Sequence, residues 1–434
     1  MPSLIWLLLA SLLFIYLAYY RLSFGVAVIL VLLPSYLWRW QFFGLPSTFL
    51  EIMIWLLFLV WLLKDQRFER INFYFQSRAE NVVPGKWRYL LLAWLLVSII
   101  GLVVHPSFHA LGLWRAYWLE PMMFFMVFMY VVRKSEDTRM IIRASGLLVL
   151  WLFFVAAWQK YGFWYLPPEY NYPNTIRLTS IFSYPNALSL LTAPLTSFFA
   201  GLYLITKKNN LFYLVLTAMG VMLSVWAVSQ GALAGIITAL VVWCLVILWN
   251  ISYKKFGKYN FGAWLVLGVA ILVLVWQSNA GQSFRQQLFK PELNLQASSL
   301  EIRSSQWQET WQMLRHNFIF GAGINGYQAA MGAYHKVDWL EIYLYPHNVF
   351  LNFWSEVGFL GLLVFLLCLF FIVQDLLALH KVRHWLAWPL TLAWLTWFTQ
   401  GLVDVPYFKN DLSILFFALL AFTILSKNTL PPQG

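Results

Sequence analysis

Apolar stretches of membrane-spanning length follow one another along almost the whole chain, and this excludes most of the ways a polypeptide can fold. A bilayer core takes about 20 apolar residues per helix, with a range of about 17–25. Such stretches lie near 3–20, 23–38, 47–63, 88–105, 113–132, 141–160, 185–205, 211–228, 231–250, 261–276, 348–374, 385–403 and 411–426. In lipid every backbone polar group must be satisfied within its own segment, so these stretches form helices. The expected fold is all-α, a polytopic transmembrane helix bundle of about 12–14 spans. The pair before residue 40 is the least sharply delimited.

Composition decides what this bundle cannot be. Of 434 residues, 61% are apolar and only 11% are charged, against about 25% charged in a soluble domain. Cytoplasmic enzymes, disordered chains, coiled coils and disulfide-rich secreted modules are set aside. A net charge of +12 would point a soluble protein toward nucleic acid. Here the basic residues sit mostly in short loops between apolar stretches, where they face membrane lipids, so no nucleic-acid partner is expected. Counted over alternate loops, 19 of the 29 Lys and Arg fall on one side, from Arg21 to Lys427. That side is read as cytoplasmic. Cys244 and Cys368 both lie inside apolar stretches, which argues against a disulfide or zinc framework. The start, Met1-Pro2-Ser3-Leu4, has no basic leader and reads as a retained first span.

The chain then divides into transmembrane helices over 1–276, a large extracytoplasmic loop over 277–347 and C-terminal transmembrane helices over 348–434. A loop of about 70 residues is too long for a connector. Ser298 followed by Glu301 forms a capping box, and Trp307, Trp311, Leu314 and Phe318 recur at helical spacing. An amphipathic helix is expected over 299–316, lying along the membrane surface. A shorter segment rich in Pro and Tyr precedes Asn186 on the same side.

Chemistry on that face proceeds without nucleotide, so no cofactor is expected. The string Gly321-Ala322-Gly323-Ile324-Asn325-Gly326 matches G-x-G-x-x-G, but a dinucleotide site needs a preceding strand; a turn ending the loop helix is the reading. No His, Cys, Asp and Glu cluster has ligand spacing, so no metal is expected. His347, in Tyr345-Pro346-His347-Asn348, closes the long loop and opens the next span. Imidazole there can accept and return a proton, or simply anchor the interface or cap the helix. Asn348, Asn352 and Glu356 recur at i, i+4 and i+8, a polar stripe on an apolar helix. Glu356 falls about 13 Å below His347 at 1.5 Å per residue. So deep a carboxyl is either functional or a partner in helix packing. Arg115, Arg177, Arg285, Arg303 and Arg315 form the second set, suited either to phosphate or to headgroups. Asp404, at another helix end, is placed to pair with an Arg, to orient His347, or to be solvated at the interface.

Taken in order, these residues resemble the O-antigen ligase and polymerase superfamily of bacterial inner-membrane glycan transferases. His347 and Gly358 reproduce its H-x10-G spacing. Arg303-Ser304-Ser305-Gln306-Trp307 is similar to its R-x3-L, with Trp in place of Leu, followed by Trp311 and Gly321-Ala322-Gly323. Arg177-Leu178-Thr179 with Pro185-Asn186-Ala187, and the stretch from Gly401 to Asp411, resemble its earlier and later segments. One departure stands out: where the family has Ser-Arg-Gly, this chain has Ser229-Gln230-Gly231. The resemblance implies transfer of a glycan from an undecaprenyl-diphosphate-linked donor to an acceptor hydroxyl, inverting and metal-independent, on the periplasmic face of the inner membrane. It implies that Arg303 holds the diphosphate and that His347 orients or deprotonates the acceptor. Arg177, Arg115, Gln230, Arg315, Asn348 and Asp404 are the further substrate-binding candidates. The acceptor stays open between lipid A-core in lipopolysaccharide synthesis, a growing glycan (a polymerase) and a protein (an oligosaccharyltransferase). A lipid-linked glycan transporter or flippase is the alternative from another class. Its usual inverted repeats are not evident, and the candidate groups gather at one face.

Overall fold

The computed structural model describes residues 4–42, 45–64, 83–132, 135–172, 175–206, 210–256, 299–336 and 341–428. The fold is an all-α polytopic membrane bundle. A helix stands at each expected span except 261–276, which lies outside the described residues, as do Ser298 and Arg285. The helices are α1 (Leu4–Tyr20), α2 (Leu22–Val31), α3 (Phe49–Lys64), α4 (Gly85–Val104), α5 (Phe108–Trp114), α6 (Glu120–Val131), α7 (Ser135–Lys160), α8 (Pro185–Ile205), α9 (Leu211–Trp226) and α10 (Gln230–Phe256). They continue with α11 (Ser299–His316), α12 (Tyr327–Met331), α13 (Val349–Lys381), α14 (Ala387–Gly401) and α15 (Asn410–Asn428). Among the described residues, α4, α8, α13 and the apolar parts of α7 and α10 are long and apolar enough to cross a bilayer. Segments Leu4–Tyr20, Leu22–Val31, Leu211–Trp226 and Asn410–Ser426 are shorter apolar helices.

The structure departs from the sequence pattern in two places. The stretch near 23–38 stops being α-helical at Val31 and tightens into a 3-10 turn, Leu33–Leu37, where Pro34 lacks the N–H that a continuing helix needs. A two-stranded hairpin follows, β1 (Arg39–Phe42) against β2 (Leu45–Thr48). The stretch near 113–132 is three pieces, α5 and α6 joined by a π-helical turn, Arg115–Leu119. Single π turns within helices recur at sites that place a particular side chain; here the first residue of the turn is Arg115.

Helix α8 is the hub. It is buried along almost its whole length and packs on α9, α10 and α14. Its inner face carries Ser189, Thr192, Thr196 and Ser197, and Ser197 Oγ lies 2.6 Å from Thr396 Oγ1 of α14. Small and hydroxyl-bearing residues are what membrane helices use to approach closely and bond across the contact. A second packing centre is aromatic. Trp94 of α4 meets Trp118, Phe353, Tyr407 and Phe416, joining α4, α13 and α15. From it the Trp94 indole donates to Tyr407 Oη (3.3 Å), and Tyr407 Oη donates to the Tyr117 carbonyl (2.6 Å). The Trp397 indole donates to the Pro406 carbonyl (2.9 Å). These bonds fix the turn between α14 and α15, where Asp404 sits.

Candidate functional site

The site forms where three turns converge on the start of α13. Asn348 is the N-cap of that helix: its Oδ1 accepts from the N–H of Phe350 (3.0 Å) and Leu351 (3.1 Å), and its Nδ2 donates to the Leu402 carbonyl (3.0 Å). The cap thus ties the end of the long loop to the α14–α15 turn. One residue earlier, His347 has φ 46°, a left-handed backbone that is uncommon for a residue with a side chain. That strain aims the imidazole at the neighbouring turn, and Nδ1 lies 3.3 Å from Asp404 Oδ1. Tyr343 and Tyr345 flank the ring edge-on, with centroids at 5.3 and 5.0 Å.

Asp404 is the centre of a chain of contacts. Its Oδ1 also accepts from the Val405 N–H (2.8 Å), and its Oδ2 accepts from Asn186 Nδ2 (3.4 Å). Asn186 in turn accepts from Arg177 Nη2 (3.1 Å), whose Nε donates to the Ala227 carbonyl (3.2 Å). Burial by itself would raise the Asp404 carboxyl. The hydrogen bond and charge of His347, the charge of Arg303 and the Val405 N–H outweigh it and hold Asp404 below its ordinary value. A carboxylate kept ionised beside Nδ1 makes Nδ1 the donor and leaves Nε2 as the free basic nitrogen.

Arg303 reaches this cluster from α11, which forms over Ser299–His316 as the spacing predicts. One turn on, Trp307 donates its indole N–H to the Pro346 carbonyl (2.9 Å). That bond fastens the loop helix to the residue before His347 and sets Arg303 near Asp404. Here a Trp does what Leu could not, because only Trp brings a donor. The guanidinium is half-buried and, among the described residues, acts on Asp404 without a hydrogen bond of its own.

The glycines explain the H-x10-G spacing. Gly358 breaks α13 with φ 74° and ψ −179°, a conformation essentially confined to glycine, and a Cβ there would collide with the Ile319 carbonyl. Into the kink fits the Gly321-Ala322-Gly323 turn. The Ala322 N–H donates to the Ser355 carbonyl (2.7 Å) and the Phe359 N–H to the Ile319 carbonyl (3.0 Å). Buried Glu356 accepts from the Asn325 N–H (3.0 Å), so this turn's backbone holds the carboxyl. The glycine string is a knuckle that locks the long loop onto α13.

Other candidates go elsewhere. Arg115 is held by Glu51 and by Glu120 (2.8 Å from Nε) and donates to the Pro46 carbonyl (2.8 Å), a network that Asn410 joins through Glu51 (2.7 Å). Arg315 is exposed in the last turn of α11. Gln230 opens α10 beside this site: a Cβ on Gly231 would lie 3.0 Å from Val403, next to Asp404. The sequence reading did not single out Trp307, Asn186, Tyr184, Tyr345 or Lys409 for the site. Tyr184 and Tyr345 neighbour each other, and burial pushes both hydroxyls upward, so both stay neutral. Among the described residues, no three His, Cys, Asp or Glu side chains gather to hold a metal.

Residues 212–366 match the O-antigen ligase family model, a stretch that includes Gln230, Arg303, His347, Glu356 and Gly358. No curated protein matches the chain. The chain is thus similar over 212–366 to the O-antigen ligase family, and segments outside that stretch supply Asp404, which contacts His347, and Asn186 and Arg177, which continue the contact chain behind Asp404.

Proposed function

We propose that the protein transfers a glycan from undecaprenyl diphosphate to an acceptor hydroxyl at the extracytoplasmic face of a bacterial inner membrane. The observation that carries this is the His347–Asp404 pair with Arg303 beside it, His347 and Arg303 lying inside the segment that matches the O-antigen ligase family model. The excess of basic residues in the opposite loops supports the assignment of the face.

In the step proposed, Asp404 holds the His347 ring by Nδ1, and Nε2 takes the proton from the acceptor hydroxyl. The hydroxyl oxygen bonds to the anomeric carbon of the donor sugar. The carbon–oxygen bond to the diphosphate breaks and the diphosphate leaves with the electron pair. Arg303, a planar cation whose donors are unmatched among the described residues, meets the charge that grows on the departing oxygen. Attack opposite the leaving group inverts the anomeric carbon. Arg177, through Asn186, and Asn348, through its cap, hold this arrangement. Ligation to lipid A-core is the first reading of the acceptor, with a growing glycan or a protein as alternatives that share the same chemistry.

Deleting the gene and comparing chain lengths on the lipid carrier and on the surface tests the proposal. Long chains stranded on the carrier are the result expected for a ligase, and single repeat units on both carrier and surface indicate a polymerase. Unchanged surface glycan with under-modified proteins moves the acceptor to protein. Repeat units trapped on the cytoplasmic side contradict transfer and indicate a flippase.

A further inference from the structure

Lys409 lies in the same turn as Asp404, one residue before α15, and its side chain is only 13% exposed. Nζ sits 4.7 Å from the ring centroids of Tyr36 and Phe182 and 5.5 Å from that of Tyr184. The nearest carboxylate oxygen, Asp411 Oδ2, is 3.6 Å away, beyond hydrogen-bond length. Among the described residues neither Nζ nor Asp411 Oδ2 has a hydrogen-bond partner. Cation–π contacts hold an ammonium in place but leave its three N–H groups without acceptors. A buried donor in that condition is costly, and among the described residues its charge partner, Asp411, stands at ion-pair rather than hydrogen-bond distance.

This ammonium belongs to the transfer site. Tyr184, over whose ring it sits, interacts with Tyr345, the ring beside His347. Asp404 acts on Lys409 as Arg303 acts on Asp404, so the two cations share one anionic neighbour. Arg39, exposed at the start of β1, bears on both Lys409 and Tyr36. Burial pulls the ammonium below its ordinary value and Asp411 opposes this; a phosphate within reach would oppose it further. A diphosphate needs more than one cation. Gln230, at the head of α10 next to the Gly231 that packs near Val403, is neutral, and Arg177 already donates to Asn186 and Ala227.

We propose that Lys409, with Arg39 three residues on from the Tyr36 ring that Lys409 packs over, is the second cation site for the diphosphate of the lipid-linked donor, complementing Arg303 where Gln230 brings no charge. The inference rests on the donor reading above and names a residue that reading does not use.

The test measures binding of undecaprenyl diphosphate to the purified full-length protein in phosphatidylcholine nanodiscs. Lys409→Met should weaken binding about tenfold or more, the scale of a lost charge-assisted bond, and Lys409→Arg should stay within about threefold of wild type. Arg39→Ala, at an exposed position, should cost about threefold and covers the case in which Lys409→Met fails to fold. Gln230→Arg placed in the Lys409→Met background should recover most of the loss. A double variant as weak as the single one assigns the loss to packing and overturns the charge assignment. Wild-type affinity in both Lys409→Met and Arg39→Ala overturns it too, as does competition by phosphatidylglycerol equal to that by the diphosphate, which makes the site one for headgroups. A wild-type protein that does not bind undecaprenyl diphosphate at all removes the donor reading itself, a failure distinct from these.

Discussion

Arg115 and Arg303 look alike in the sequence, both on the face assigned as outer, yet the structure gives them opposite surroundings. Arg115 opens a π turn and is clamped between Glu51 and Glu120, with the Pro46 carbonyl taking a further donor. Every element of that cluster is a response to buried charge, and α3, α6, the β1–β2 hairpin and Asn410 of α15 all lean on it. Arg303 acts on Asp404, which is already engaged by His347, Asn186 and Val405. Its own donors meet no acceptor among the described residues. A satisfied guanidinium holds helices together; one left with free donors beside a histidine–aspartate pair is available to an incoming anion. Which of the two an arginine is depends on who stands opposite, and one of the two carboxylates that clamp Arg115, Glu51, is 64 residues away.

If that contrast is right, Arg115→Ala acts on the fold. Removing it strands two buried carboxylates, which costs about 3–5 kcal/mol; the expected outcome is a large fall in Tm and in yield, read by thermal melting in detergent. A well-folded Arg115→Ala protein that has lost only donor binding would move Arg115 into the site and dissolve the comparison. Arg303→Lys should leave Tm near wild type and lower transfer by about tenfold to a hundredfold, because a point charge does not replace the planar fork. Equal loss of stability in both variants would mean that Arg303 too is structural.

The smallest effect concerns pH. Asp404 is held below its ordinary value, so its contribution to stability is fully present above the unfolded aspartate value of about 3.9 and is lost as pH falls through the lower, folded one. The Tm difference between wild type and Asp404→Asn should therefore be constant at neutral pH and shrink in acid. A difference that persists undiminished down the acid limb contradicts an ionised Asp404.

Much of this architecture could be read from the residues. Long apolar stretches leave a chain no alternative to helices in lipid, so span positions follow from length alone. The loop helix followed from its spacing, and Asp404 was a candidate partner for His347 although they are 57 residues apart. The gaps have physical reasons. The pattern reads period, and Pro34 and the π turn at Arg115 break the period without changing the apolarity. The glycine string was legible as a turn, but its receptor, the Gly358 kink, is a backbone conformation that no composition reveals. Glu356 could be read as functional or structural, and only the Asn325 N–H shows what it accepts. Lys409 reads as one more headgroup anchor until Tyr36, Phe182 and Tyr184 are seen around it.

The account turns on His347 as the group that takes the acceptor's proton, and one measurement tests this most directly. Purified wild type and His347→Ala are compared for single-turnover release of glycan from an undecaprenyl-diphosphate-linked donor, with Tm and donor binding recorded on the same samples. The account predicts a rate lower by about 10²–10⁴ with fold and donor binding retained, the usual span for a general base. Transfer at the wild-type rate by the folded variant would contradict it, and would move the chemistry away from the His347–Asp404 pair.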